Sequence, residues 1–231
     1  MRVFEAVIFD MDGVLVDSEP LHFASTNTVL AAHGARLELP DYAAYMGMPE
    51  EAFFAELVTR FELRESPARL KRQRLALTLE RMASEPLPPT PGALECLLAL
   101  ASAGFKLGVA SSATRVQVEL VVRLLGVGAL FSTLVSGDEV TAGKPAPDLF
   151  LEAAKRLGVA PHACLVVEDA VHGVTAARAA GMTVLALPAA HDDGAAHIEA
   201  GAQGVLGSLA ELDAESLESG SLRQTEPGTE A

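Results

Sequence analysis

The chain has 231 residues, half of them hydrophobic, enough for one large domain or one domain with a smaller insert and for a substantial core. A formal charge of −14 weighs against nucleic acid or an anionic membrane as partner, because a negative field repels polyanions. A small anionic substrate then needs a local cation or a metal, and with no apolar run near the ~18 residues of a spanning helix, a cytoplasmic protein is expected.

The first predicted element is the strand VFEAVIFD at 3–10, whose Glu5 and Asp10 also distinguish it from a signal peptide. After it the chain reads as helices from 21 to 85: LHFASTNTVLAAHG, PEEAFFAELVTRFEL and SPARLKRQRLALTLERMASE. This block is bounded by DSEP at 17–20 and by EPLPPTPG at 85–92, whose restricted backbones suit a semi-rigid hinge. From residue 91 onward the pattern alternates. The apolar runs KLGVASS (106–112), TLVSG (133–137), CLVVED (164–169) and VLALP (184–188) lack polar alternation and read as strands buried on both faces. Between them PGALECLLALASAG, TRVQVELVVRLLG, PDLFLEAAKRLG and AVHGVTAARAAG read as helices, each ending at Gly. Alternating strands and helices predict right-handed crossovers and a doubly wound parallel sheet, an α/β core carrying an inserted α-helical domain. The expected boundaries are 1–16 and 89–213 for the core, 17–88 for the helical insert, and 214–231 for an acidic, disordered tail. Cys96 and Cys164 share no metal or redox spacing and read as buried free thiols.

In an open parallel sheet, ligands bind beyond the carboxyl ends of the strands. Here those ends carry Asp10, Ser111, Lys144 in the loop after the third strand, and Glu168 with Asp169. Taken singly, each has a plain alternative: Asp10 and Asp12 as a turn, Ser111 as a helix cap, Lys144 as a solvated lysine, Glu168 and Asp169 as a cap. Their convergence on one edge favours a site. Mg²⁺ takes oxygen ligands and is usually held by one or two carboxylates plus substrate phosphate. Asp10 and Asp169 suit that role, with Glu168 near enough to be a ligand or a partner behind one, and the Asp12 main-chain carbonyl as a fourth contact. Asp10 is placed to attack phosphorus, and Asp12, two residues on, to protonate the leaving oxygen and later deprotonate water. Gly13 supports a turn that aims N–H groups at the phosphate; Ser111 and Ser112 are phosphate-binding candidates, and Lys144 offsets the charge.

DMDGVLVDS at 10–18, VASS at 109–112, GKPAPD at 143–148 and VVEDAVHG at 166–173 together resemble the haloacid dehalogenase-like superfamily of hydrolases, over residues 5 to about 190. The helical insert after the first motif is similar to the cap of the subgroup with sugar-phosphate phosphatases and beta-phosphoglucomutase. The resemblance implies a Rossmann-like core, an aspartate nucleophile, an acid/base aspartate, Mg²⁺ and a mobile cap. It also matches His22 to a cap histidine. Where a mutase carries a phosphate-gripping arginine, GMPEEA at 47–52 sets Glu50, and its Ser-Lys pair is replaced by Ala113 and Thr114, with Arg115 one further along as a substrate-contact candidate. These departures favour hydrolysis over the mutase alternative. A run of basic residues, Arg69, Lys71, Arg72 and Arg74, is open to two readings: a substrate-facing surface or a solvated face. His172, His191 and His197 lack metal spacing and read as surface groups. The expected partner is a small phosphorylated metabolite, with no nucleic acid and no membrane, the protein itself a monomer or weak homodimer.

Overall fold

The apolar run AVIF forms β1 (Ala6–Phe9), buried along its whole length, in a computed structural model that describes residues 2–45, 48, 50–189 and 192–222. Met46, Gly47, Pro49 and His191 lie outside the described residues, as does the tail from 223. The chain divides into two units, Met1–Asp17 with Pro88–Ala231, and Ser18–Leu87.

The second unit is helical: α1 (Glu19–Ala31), α2 (Leu39–Ala43), α3 (Glu50–Arg60) and α4 (Pro67–Ser84). Proline in the first turn starts α1, α2 and α4, where its missing N–H costs nothing, and Ser66 caps α4 by accepting from the Arg69 N–H at 3.3 Å. Their apolar stripes meet in a core of Val29, Leu30, Leu37, Tyr42, Phe53, Phe54, Leu57 and Leu70. The short α2 was not anticipated; its five residues are too few to show a helical period.

The first unit continues through α5 (Ala93–Ser102), β2 (Lys106–Ser111), α6 (Arg115–Leu124), β3 (Phe131–Ser136), α7 (Asp148–Leu157), β4 (Cys164–Glu168), α8 (Val171–Ala179), β5 (Thr183–Ala186), α9 (Ala195–Glu199), β6 (Gly204–Val205) and α10 (Ala214–Ser219). All strand pairs are parallel, in the order β3-β2-β1-β4-β5-β6. Strand residues alternate between the sheet's faces, so Ala6, Ile8, Val166 and Val184 pack in one apolar layer with Leu149, Phe150 and Ala153 of α7 and Val174 and Ala177 of α8. Burying each such branched or aromatic side chain is worth about 1.5–3 kcal/mol, which explains why strands without polar alternation settle at the centre. Cys96 and Cys164 are buried free thiols, their pKa values pushed up by burial to about 12 and about 11.

Two expectations need correction. The acidic tail is ordered at its start: Ala214–Ser219 form α10, where Asp213 accepts from the Ser216 N–H at 2.8 Å, Leu217 is fully buried, and Val3 N–H donates to the Glu218 carbonyl at 3.1 Å. A cap and one apolar anchor outweigh the local acidity. His197 is not a surface group; it is 2% exposed within α9. Among the described residues no helix is long and apolar enough to cross a membrane.

Candidate active site

β1 and β4 run side by side with Phe9 opposite Val167, and the Asp10 N–H donates to the Val167 carbonyl at 2.9 Å. The chain leaves both strands together where the strand order reverses, the place at which open parallel sheets receive ligands. Asp10 follows β1, Glu168 ends β4 and Asp169 comes next, so one carboxylate oxygen from each falls within 4.8 Å of the others. Asp10 and Glu168 are buried and Asp169 nearly so.

Lys144 enters this cluster from the loop between β3 and α7. Its ammonium donates to Asp10 Oδ1 at 2.6 Å and to Glu168 Oε1 and Oε2 at 3.0 and 3.2 Å. The Phe150 ring lies beneath it, 5.2 Å from Nζ to centroid, and the Lys144–Pro145 peptide is cis. The lysine side chain is 3% exposed and therefore no solvated surface group. Burial disfavours its charge, but Asp10 and Glu168 outweigh that and raise its pKa. Burial lifts the Asp10 carboxyl above its ordinary range, against the pull of Lys144 and with a further push from Asp12. Glu168 and Asp169 are pushed well above theirs, by burial first and then by the Asp10 charge. Three carboxylates share one ammonium, and this excess of buried negative charge is what a divalent cation relieves. All the donors are hard oxygens, the set that suits Mg²⁺.

Two glycines make room for the cluster. Gly13 has a φ of +76° and its N–H donates to the Val16 carbonyl at 2.8 Å, closing the turn after β1; a methyl group on its Cα would overlap the Asp169 carboxylate. A methyl group on Gly173, in the first turn of α8, would overlap the Glu168 carboxylate. Asp12 stands half-buried within the Gly13 turn, in a bridge with Val16. Ser111, at the end of β2, is buried, and its Oγ accepts from the Ala113 N–H at 3.1 Å. Ser112 is exposed, with its carbonyl packed so tightly on Gly137 that no side chain fits there.

Arg115 is not brought into the cluster. It heads α6, where Nε pairs with Glu119 at 2.7 Å and Nη1 donates to the Leu134 carbonyl at 2.8 Å. His22 belongs to the helical unit, its Nδ1 2.7 Å from Arg74 Nη1. Arg74 is itself buried, pairs with Glu50 and lies over the Phe54 ring, so it is not part of a solvated face. Lys71 pairs with Glu50 and Glu51, and Arg69 with Glu65. Sequence reasoning passed over Phe150 and Gly173 and misread His197 as a surface group. Gly173 had a signal, a glycine inside a predicted helix one turn after two acids; a lone histidine in a short polar stretch had none.

The family model for haloacid dehalogenase-like hydrolases matches residues 4–181. The chain belongs to that family. It is 36% identical over 199 residues to the phosphorylated carbohydrates phosphatase of Thermotoga maritima, covering 86% of this chain and 92% of that protein. Among solved structures it is similar to CbbY from Rhodobacter sphaeroides in complex with phosphate, with TM-score 0.79, 26% identity, and coverage of 93% and 99% of the two chains. It is also similar to a haloacid dehalogenase family hydrolase from Deinococcus radiodurans with bound phosphate and sodium, with TM-score 0.76, 33% identity, and coverage of 97% and 100%.

Proposed function

We propose that this hydrolase removes phosphate from small phosphorylated metabolites, sugar phosphates first, by way of a phosphorylated Asp10. The observation that carries the reading is the cluster of Asp10, Glu168 and Asp169 at the sheet's switch point, with one lysine bonded to Asp10 and Glu168. The resemblance to the phosphorylated carbohydrates phosphatase supports the substrate class. Mg²⁺ held by the Asp10, Glu168 and Asp169 carboxylates and the Asp12 main-chain carbonyl would offset the negative charge of carboxylates and phosphate when bound.

The chain's own residues account for the remaining chemistry. Lys144 grips Asp10 Oδ1 and fixes the orientation of the carboxylate. An Asp10 oxygen forms a bond to phosphorus as the ester P–O bond breaks, and Asp12 gives its proton to the departing alkoxide. In the second step Asp12 takes a proton from water as that water attacks phosphorus, and the Asp10–phosphorus bond breaks to restore the carboxylate. Main-chain N–H groups of the Gly13 turn and the hydroxyls of Ser111 and Ser112 provide donors for the phosphate oxygens. The sequence has Glu50 where a mutase carries its phosphate-gripping arginine, and losing that cation supports hydrolysis over mutase transfer.

Inorganic phosphate release from sugar phosphates, phosphoglycolate and nucleotides, with Mg²⁺ or with EDTA, tests the reading beside Asp10→Asn. Release should require the metal and fall in the variant by four to six orders of magnitude, the scale of losing a nucleophile. Full activity in Asp10→Asn refutes the assignment. If no substrate releases phosphate but glucose 1-phosphate is interconverted, the mutase takes its place.

A further inference from the structure

The turn that carries Asp169 runs between β4 and α8, and its carbonyls are served from different places. The Glu168 carbonyl accepts from the Leu187 N–H at 2.8 Å, continuing the sheet, and the Ala170 carbonyl accepts from the Gly173 and Val174 N–H groups at 3.0 Å, beginning the helix. The Asp169 carbonyl between them faces His197, whose Nε2 lies 2.6 Å away. A carbonyl only accepts, so Nε2 carries the proton and donates. The histidine is 2% exposed and comes from α9, the helix after β5, outside the motifs that supply the cluster. Its Nδ1 faces the Asp192 carboxylate at 3.8 Å, beyond hydrogen-bond reach.

We infer that His197 is a positioning residue for metal binding, holding the Asp169 main chain so that its carboxylate meets those of Asp10 and Glu168. This rests on the metal reading above. Asp169 sits one residue past the last sheet residue and two before the first helical one, so neither ladder fixes its peptide. The cluster also needs that peptide held still: the Asp169 carboxylate lies within 4.8 Å of those of Asp10 and Glu168, like charges that drive it away until a cation arrives. A short hydrogen bond from a buried ring fixes the turn beforehand, so that less ordering remains to be done when metal binds. Groups that hold a ligand from behind typically change metal affinity by tenfold or more.

Titration calorimetry of MgCl₂ into EDTA-treated full-length protein tests this without reference to turnover. The variants are His197→Leu, which fills space without donating, and the pair His197→Gln and His197→Asn. The glutamine amide nitrogen reaches the place of Nε2, whereas that of asparagine reaches only the place of Nδ1. We expect Leu and Asn to weaken Mg²⁺ binding about tenfold and Gln to stay within about threefold of the wild type. If Leu unfolds, as a thermal melt will show, the Gln and Asn pair decides. Equal affinity in all variants, or Gln as weak as Asn, overturns the positioning role and leaves the metal reading intact. A wild-type protein that binds no Mg²⁺ overturns the metal reading, and the inference with it.

Discussion

Two charged clusters stand in the same unit, and their difference separates a site from a surface. The first is Asp10, Glu168 and Asp169 around Lys144. The second joins α6, the turn after β3, and α7: Arg115 pairs with Glu119 and Glu139 at 2.7 and 3.4 Å, Arg156 with Glu139 and Glu152 at 3.0 and 2.8 Å, and Lys155 with Glu152 at 3.1 Å. In the second cluster cations match acids and the side chains remain a quarter or more exposed. In the first, one ammonium faces three carboxylates, and the Lys144, Asp10 and Glu168 side chains are 3%, 9% and 1% exposed. Solvent screens the balanced cluster, so it adds little to stability and calls for no ligand. Burial magnifies the imbalance of the other, and only a cation or a proton relieves it. Imbalance under burial is what marks the functional one.

Removing the single cation should break the buried cluster. Lys144→Met keeps most of the side chain's length but leaves Asp10 and Glu168 without their partner, and breaking a buried pair in this way costs about 3–5 kcal/mol. Urea denaturation of the metal-free protein reads this directly. Adding Glu168→Gln to Lys144→Met should recover part of the loss, because it removes one of the stranded charges. A loss below about 1 kcal/mol for Lys144→Met would put the buried cluster on a level with a surface one, and the distinction would fail.

The field of Lys144 offers a finer test. His172, in the first turn of α8, has its pKa lowered from 6.5 to about 4, by burial first and then by the Lys144 charge. The folded state therefore prefers the neutral ring. The stability this provides is complete above pH 6.5 and is lost as the pH falls toward 4. The raised carboxylates of the cluster act in the opposite sense, since protonating them relieves the fold. Comparing His172→Gln with the wild type isolates the histidine: melting temperatures followed from pH 6.5 down to 4 should fall less in the variant. Parallel curves would mean that burial and the lysine charge leave this ring unperturbed.

The sheet was legible in the sequence because strands buried on both faces carry unbroken apolar runs, and the ends of β1, β2 and β4 showed their polar residues directly. The acids of the cluster were readable for the same reason. Parallel strands in register deliver the residues at and just beyond their ends to one edge, and Phe9 opposite Val167 is enough to bring Asp10 beside Glu168, with Asp169 next along the chain. The features that escaped were those of two or five residues with no period of their own, α2, β6 and α9, and those that depend on tertiary distance. His197 lies 28 residues from the carbonyl it serves, and nothing local announces the contact. Arg115 shows the converse: an arginine near the second motif looks ready to hold substrate, yet Glu119, Glu139 and the Leu134 carbonyl already engage it. The tail was misjudged because composition weighed six acids from Glu211 onward against one base, while Leu217 supplies the anchor for a short helix.

The balanced cluster should prove tolerant, and Glu139 is the residue on which to try it. Burial pushes its carboxyl up, but hydrogen bonds from Ser136 and from Arg156 more than offset this and hold its pKa at about 2. That makes Glu139 the most strongly perturbed acid of the surface network, and so the hardest test of the claim that screening disarms it. Glu139→Gln keeps an acceptor for the Ser136 N–H and for Arg156 while removing the charge, and Arg115 and Arg156 retain Glu119 and Glu152. The expected cost is about 1 kcal/mol or less, shrinking further in high salt because the charges are exposed. Urea denaturation at low and high ionic strength measures both. A cost of several kcal/mol that salt does not reduce would show that exposed, balanced pairs here behave like buried ones. Charge imbalance would then no longer distinguish the site, whereas a small, salt-sensitive cost leaves the strand-end cluster as the place where this fold concentrates its electrostatic strain.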